Sequence, residues 1–420
     1  MFGHLYSPLV DLVFKVFHSK LKNRYSEGYD ERCGIVPEEK LKLLKNKRPL
    51  WIHCVSVGEV QAAVPLILSA RKNGYTDPIL LSTTTITGRE MAYRMAEGLF
   101  DLHIYYPWDK KEFVRRALDS INPWCFVATE TELWPNMLSE LKKRGIPSFA
   151  SNCRISDRTW KKLSSTIGGM YGREMYDLFT ALYLREPLDR EKLLKLGISG
   201  DKLILAGDTK IDALLSRKNS EEALAMKYDL GLTDEDIVFT AGSLHKGEDE
   251  EIAAAFDILK KEAPKAKLVI VPRHPERTGY VVSLFDKRYK TCRMTENSKD
   301  WEVLVVDKIG VLFDLYGISY SAFVGGSMVD KGGQNILEPV AWGVPLQFGP
   351  HTEDFADASK EFLQMGIARE VNNGSELGEV WKEMLDEKTR NRFVKAGVDY
   401  MHRHSGAGEK TWKMISAYKK

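Results

Sequence analysis

From Leu50 onward, short apolar runs alternate with longer segments whose apolar residues recur at helical spacing. Leu50–Val55, Pro78–Ser82, Trp124–Ala128, Ser148–Ala150 and Ala181–Leu184 are strand-length apolar stretches, and Val60–Lys72 and Asn136–Arg144 carry helical patterns between them. Strands covered on both faces lose the apolar–polar alternation of a half-exposed sheet, so this pattern predicts a parallel sheet between helical layers. The series stops and then restarts with Ile237–Ala241, Lys267–Val271, Val303–Val306, Ser321–Val324 and Pro345–Phe348. Two doubly wound α/β sheets explain this better than one very wide sheet, with a boundary expected near Leu205–Gly207.

The two ends read differently. Leu5, Leu9, Leu12, Val13, Val16 and Phe17 recur at helical spacing, and Lys15, Lys20, Lys22 and Arg24 accompany or follow them. Such a helix can lie in a membrane interface beside anionic head groups, or pack on its own domain; the pattern fits both. The last stretch, Val398–Lys420, reads as helix after the second sheet is complete.

Composition narrows the class. The 420 residues are 43% hydrophobic and 29% charged, which excludes a disordered chain and suits two domains. A formal net charge of +2 argues against nucleic acid as a partner, which calls for a marked basic excess. Cys33, Cys54, Cys125, Cys153 and Cys292 lie far apart with no CxxC pair, so a reducing cytosol is expected. The longest apolar run, near Ala62–Leu68, falls far short of the ~20 residues that cross a bilayer, and no cleavable export signal precedes it.

Ligands of doubly wound sheets bind beyond the carboxyl ends of the strands, so the residues that follow each strand carry the chemical information. Ser56-Val57-Gly58-Glu59 follows the first strand. Glu59 there is either a general base at a cleft mouth or a first-turn acid complementing the helix dipole. Thr83–Gly88, with Thr84 among its hydroxyls, follows the second strand. Thr129–Asn136 follows the third and brings Glu130, Glu132 and Trp134; the indole suits a sugar ring or a core staple equally. Ser151-Asn152-Cys153-Arg154 follows the fourth. Polar loops at four successive strand ends are less easily accidental than any one of them.

The second half presents groups suited to anions. Ala241–Glu248, including Ser243, leaves a strand and enters a helix, where free N–H groups favour phosphate. Pro272–Arg277 follows the next strand, with Arg273 and His274 held by flanking prolines; the Arg273 fork can clamp a phosphate. Gly325-Gly326-Ser327-Met328 ends a strand, and Gly332-Gly333-Gln334-Asn335 precedes a helix expected to start near Asn335. Glycine amides there can approach a phosphate closely, and Glu338 can accept hydrogen bonds from ribose hydroxyls. Neither a G-x-x-x-x-G-K-[ST] loop nor a G-x-G-x-x-G opening the first sheet is present. His53, His245, His274 and His351 fall in separate segments without ligand spacing, so no metal is expected.

Together, Ser56–Glu59, TETELWPN (129–136), SNCR (151–154), PRHPER (272–277) and GGSMVDKGGQNILEPVAWGVPLQFGPHTEDF (325–355) resemble the bacterial Kdo (3-deoxy-D-manno-oct-2-ulosonic acid) transferases. The resemblance runs in order from about Tyr29 to Phe355. It implies a glycosyltransferase-B fold, two Rossmann-like doubly wound domains facing a central cleft. The implied segments are a possibly membrane-associated helix (1–24), an acceptor domain (25–205), a donor domain (206–397) and a helix returning to the first domain (398–420). The family transfers Kdo from CMP-Kdo to the lipid A precursor (lipid IVA) in lipopolysaccharide synthesis, with inversion and without metal or other cofactor. It works peripherally at the cytoplasmic face of the inner membrane, against an anionic surface.

On matching positions, the resemblance makes Glu59 the general base. It places Ser56, Gly58, Thr84, Glu130, Glu132, Asn152 and Arg154 on the acceptor side, and Lys210, Ser243, Arg273, His274, Gly326, Gly333, Asn335 and Glu338 on the donor side. Asp208-Thr209-Lys210 stands where Asn-Leu-Lys is usual, Gln334 where His is, Cys153 where Ala is, and Ser243-Leu244-His245 where Ser-Thr-His is commoner. A UDP-sugar transferase or epimerase of the same fold, or transfer of a related ulosonic acid, is the alternative reading.

Overall fold

A computed structural model describes residues 2–419; the side-chain surroundings of residues 2–5 and 18 lie outside the description, and with them Leu5 of the amphipathic pattern. The chain divides into two compact units, one of Met1–Ala213 with His404–Lys420 and the other of Leu214–Arg403. Each contains a seven-stranded sheet, and every pairing in both is parallel.

The first sheet comprises β1 (Leu50–Cys54), β2 (Ile79–Thr83), β3 (Leu102–Tyr105), β4 (Cys125–Thr129), β5 (Ser148–Cys153), β6 (Ala181–Leu184) and β7 (Leu203–Leu205), in the order β3-β2-β1-β4-β5-β6-β7. Its strands feed a core on each face. Leu50, Ile52 and Val127 pack with Val60 and Ile67 of helix Val57–Lys72, while Trp51, Leu80 and Phe126 pack on the other side with Met137 and Leu141. The Trp51 indole N–H donates to Ser82 Oγ at 2.8 Å, so this aromatic is buried without a stranded polar atom. The order in which strands are added reverses between β1 and β4, a switch point that leaves a crevice beyond their carboxyl ends.

The second sheet comprises β8 (Val238–Leu244), β9 (Lys267–Pro272), β10 (Thr291–Arg293), β11 (Val303–Val305), β12 (Ser321–Val324), β13 (Leu346–Phe348) and β14 (Ala368–Glu370), in the order β10-β11-β9-β8-β12-β13-β14. Its switch lies between β8 and β12. Buried Gln347 in β13 accepts from the Trp381 indole at 3.0 Å and from the Ser321 hydroxyl at 2.9 Å. This ties helix Gly374–Met384 to the sheet.

All ten anticipated strands form. Those not anticipated, β3, β7, β10 and β14, are the four sheet edges. The division between units also falls later than Leu205–Gly207, so helix Thr209–Arg217 begins in the first unit. The terminal stretch is not one helix: helix Glu387–His404 ends before Gly406, whose φ is +80°, and helix Ala407–Ser416 follows. Asp212 accepts from the Gly406 and Gly408 amides at 2.6 and 2.7 Å, while Trp412 and Ile415 enter the first core.

Helix Phe2–Arg24 is attached by one face. Phe14 packs against Trp108 and Phe113, with ring centroids 5.2 and 5.4 Å away, and the Ser7 hydroxyl donates to Asn136 Oδ1. Leu9, Leu12, Val13, Val16 and Phe17 remain exposed. Among the described residues, no helix is long and apolar enough to cross a membrane.

The closing helix makes a testable contact. A β-carbon on Gly408 would lie 2.8 Å from the backbone of Pro65 in helix Val57–Lys72. Gly408→Val should therefore cost about 1–3 kcal/mol through overpacking, read as a lower urea midpoint with an unchanged slope.

Candidate functional site

In the first unit the site is built at the switch point. Ser56 caps helix Val57–Lys72: its Oγ accepts from the Glu59 amide at 3.4 Å, and its hydroxyl donates to Glu59 Oε1 at 3.1 Å. The other Glu59 oxygen accepts from the Val55 amide at 2.7 Å. Thr84 donates to the Val55 carbonyl at 2.9 Å, so the loop after β2 braces the loop after β1. Glu59 is thus fixed by short-range backbone chemistry and only 6% exposed.

Beside it stands the loop after β4. Glu130 occupies the left-handed region (φ +60°), which a non-glycine residue adopts only when its surroundings enforce it. Its amide donates to Ser151 O at 2.7 Å, and its carboxylate pairs with Lys210 Nζ at 2.5 Å. Lys210 is held from the other side: Asn152 Oδ1 accepts from the Thr209 amide at 3.0 Å, and Asp208 accepts from the Lys210 amide at 2.9 Å. Asp208 also pairs with half-buried Arg185 at 3.0 Å, so the additional carboxylate of this chain is neutralised locally. Gly58 borders the Lys210 ammonium. Thr131 donates to the carbonyl of Arg154, which joins the β4 and β5 loops.

Three carboxyl groups therefore share a half-buried space with one ammonium. Burial pushes Glu59 up to about 7; the Glu130 charge adds to this, and the Val55 N–H, the Ser56 hydroxyl and Lys210 oppose it. Burial followed by the charges of Glu59 and Glu130 raises Glu132 to about 7 as well. A carboxyl group with affinity for protons near neutrality can accept one from a hydroxyl and hold it.

Of the residues expected from sequence, Glu59, Ser56, Gly58, Thr84, Glu130, Glu132, Asn152 and the Arg154 backbone come together here. Lys210 joins them in the first unit instead of lying in the second. The resemblance assigns it to the donor side, and its position lies within the first unit, beyond the boundary expected near Leu205–Gly207.

The second unit has its own switch-point loops. Ser243, at the end of β8, has φ +57°. Arg273 is exposed and its amide donates to Leu244 O at 2.8 Å. The His245 ring stands edge-on to His274, with centroids 5.8 Å apart, and 3.5 Å from Gln334 Nε2. Burial, then the charges of His274, Arg273, Lys331 and Arg277, holds His245 below its ordinary value. The cluster is a cationic surface suited to an anion. Glu338, raised by burial, takes a hydrogen bond from Asn335 Nδ2 at 3.3 Å and lies 3.9 Å from Arg217.

The glycine loop differs from expectation. Fully buried Glu248 turns back and accepts from the amides of His245, Gly326, Ser327 and Met328 at 2.8–3.0 Å. The Gly333 amide donates to Gly326 O at 2.8 Å. The amides of Gly326 and Gly333 are therefore already satisfied and are not free phosphate donors. Gly325 is required for another reason: a β-carbon there would stand 2.7 Å from Ser243 O. The helix after this loop is Leu337–Ala341, later than the expected start near Asn335.

Sequence spacing also hid a grouping of Asp330, His351 and Glu353, whose ligand atoms lie within 4.8 Å of one another. It is largely exposed, and His351 lies 3.5 Å from Glu353.

The family described as 3-deoxy-D-manno-octulosonic-acid transferase (kdotransferase) matches residues 27–213. A 3-deoxy-D-manno-octulosonic acid transferase of Haemophilus influenzae is 30% identical over 98% of this chain and 96% of that protein. A bifunctional glycosyltransferase/methyltransferase of Fusobacterium nucleatum is 31% identical over 93% of this chain, which spans only 58% of that protein. Among solved structures, a UDP-GlcNAc 2-epimerase of Neisseria meningitidis superposes with a TM-score of 0.60 at 16% identity, covering 88% of this chain and 99% of that one. That likeness concerns the fold, a glycosyltransferase-B-type pair of parallel α/β units. Similarity over nearly the full length of both proteins in the Haemophilus comparison shows that the chain belongs to the 3-deoxy-D-manno-octulosonic acid transferase family.

Proposed function

We propose that the protein transfers Kdo from CMP-Kdo to a hydroxyl of the lipid A precursor, inverting the anomeric centre and using no metal or other cofactor. The observation that carries this is Glu59, a carboxyl group at a switch-point crevice whose proton affinity is tuned to about 7. Inverting transfer needs one base to take the acceptor proton as the new glycosidic bond forms and the bond to the CMP phosphate breaks. Glu59 takes that proton. Lys210 and the Glu130 and Glu132 carboxyl groups set the charge around it. Arg273, His274 and Ser243 of the second unit take the donor's phosphate and carboxylate, and Glu338 with Asn335 takes its ribose hydroxyls. Charge developing on the departing phosphate is met by the cations around His245.

Glu59→Gln should lower kcat on the order of 10²–10⁴-fold in a mass-resolved transfer assay with CMP-Kdo and a tetra-acylated acceptor. Wild-type kcat/KM should rise with pH through about 7, as Glu59 loses its proton. Stability follows the same titration. Because the folded-state value is raised from 4.5, the protonated form's contribution is complete below about 4.5 and is lost as pH rises through about 7. The melting temperature of wild type should fall relative to Glu59→Gln across that window, and a pH-independent difference would count against a buried, titrating Glu59.

CMP should raise the melting temperature more than UDP at equal concentration; stronger stabilisation by UDP would favour a UDP-sugar enzyme.

The site of action we propose is the cytoplasmic face of the inner membrane, with helix Phe2–Arg24 lying in the interface. Its exposed Leu9, Leu12, Val13, Val16 and Phe17 and its Lys22 and Arg24 support this. Leu12→Glu with Val16→Glu, on the face that packs on nothing described, should abolish co-flotation with anionic vesicles. Unchanged flotation would remove the anchor.

A further inference from the structure

A second cavity of about 480 Å³ opens in the first unit beside the Glu59 loop, sharing Val55 and Thr84 with it. Its lining includes Arg24, Arg32, Tyr106, Trp108 and Trp134, and contains two guanidinium groups and no carboxylate. Arg32 is 3% exposed and lies over the rings of Tyr25 and Tyr105, 5.0 and 4.3 Å from their centroids. Among the described residues it has no ion pair, and its Nε–H has no acceptor. The two nearby acids are already engaged. Glu27 pairs with Arg89 and accepts from the Tyr105 hydroxyl, and Glu31 pairs with Lys40 and accepts from the Tyr105 amide. The charges of Glu31 and Glu27 act on Arg32 only from beyond ion-pair distance, and a buried guanidinium with no ion pair and an unmet N–H is costly, so a wall built this way suits an anion from outside.

Two further features define that anion's carrier. The fully buried Tyr106 hydroxyl has no hydrogen-bond partner. Helix Ile86–Ala96, capped by Thr85, presents its first turn to the same space. The lining also includes the indoles of Trp108 and Trp134, a ring type against which sugars pack.

We propose that this pocket seats a phosphorylated hexosamine unit of the acceptor, its phosphate on Arg32 and Arg24 and its ring face on Trp108 and Trp134. The proposal deepens the acceptor reading above and rests on it for the identity of the ligand. Arg32 and Arg24 are positioning residues: they fix the sugar so that its hydroxyl meets Glu59.

The test compares binding of glucosamine 1-phosphate, glucosamine and inorganic phosphate to the full chain by NMR titration, alongside transfer to intact and phosphatase-treated acceptor. Wild type should bind glucosamine 1-phosphate at least about tenfold more tightly than either fragment, the scale of one charge-assisted contact. Arg32→Met should erase that advantage and raise KM for the intact acceptor, while sparing the phosphatase-treated one. Arg24→Gln, at an exposed position, should reduce the advantage several-fold without a risk to folding. An undiminished phosphate preference in Arg24→Gln and in folded Arg32→Met would overturn the proposal. So would equal loss with both acceptors, even if Kdo transfer itself stands. Conversely, loss of the binding preference in the variants, in a protein that transfers no Kdo, would leave the pocket assigned and remove the reaction.

Discussion

Strand-end amides at a parallel switch point have no partners in the sheet, and in both units a glutamate turns back from the following helix start to meet them. The two glutamates end in different states. Glu248 accepts from four amides and is fully buried, so nothing of its acceptor capacity faces a ligand. Glu59 accepts one amide and one hydroxyl, stays at the edge of a crevice, and keeps lone pairs free. The same local device thus serves scaffolding in one sheet and, on the proposed reading, proton transfer in the other. The number of donors offered to each carboxylate decides which.

The electrostatics of the first site follow from that incomplete satisfaction. Burial raises the proton affinity of both carboxyl groups; four amides oppose it at Glu248, whereas at Glu59 fewer donors oppose it and like charge adds to it. Glu130 and Glu132 supply the like charge, and Lys210 limits it. Asp208 would have added a further negative charge, but its pairing with Arg185 removes it from the balance. The departure from the usual Asn-Leu-Lys sequence is therefore absorbed by a neighbour without reaching Glu59.

Much of this was legible in the sequence because parallel strands buried on both faces announce themselves as apolar runs. The exceptions are the sheet edges. β10 and β14 are three-residue strands carrying Arg293 or Arg369, β3 places His103 in its middle, and β7 is apolar but only three residues long. Edges have one neighbour and need less apolar surface, so hydropathy alone passes over them. The boundary expected at Leu205–Gly207 follows β7 but precedes helix Thr209–Arg217, whose first residues, Lys210 among them, belong to the first unit. The residues following the central strands singled out Glu59, Thr84, Glu130 and Glu132, and the structure brings these together beyond the strand ends, where ligands meet a doubly wound sheet. What sequence could not show is which backbone amides are already taken. Gly326 and Gly333 looked like phosphate donors until Glu248 and the Gly326 carbonyl were seen to occupy them. Arg32 gave no signal at all, because its meaning lies in lacking a partner.

The first unit joins two surfaces of opposite character through one helix. Helix Phe2–Arg24 exposes Leu9, Leu12, Val13, Val16 and Phe17 along its length, and its last residue, Arg24, lines the pocket that holds Arg32. Phe14 and Ser7 fix the helix to the body through Trp108, Phe113 and Asn136, and Trp108 lines that same pocket. On the proposed reading, a substrate with acyl chains and a phosphorylated sugar head needs an apolar face and an anion pocket in fixed register. A helix anchored at the pocket wall provides that register without a membrane span, because the residues that attach it to the body also shape the head-group site.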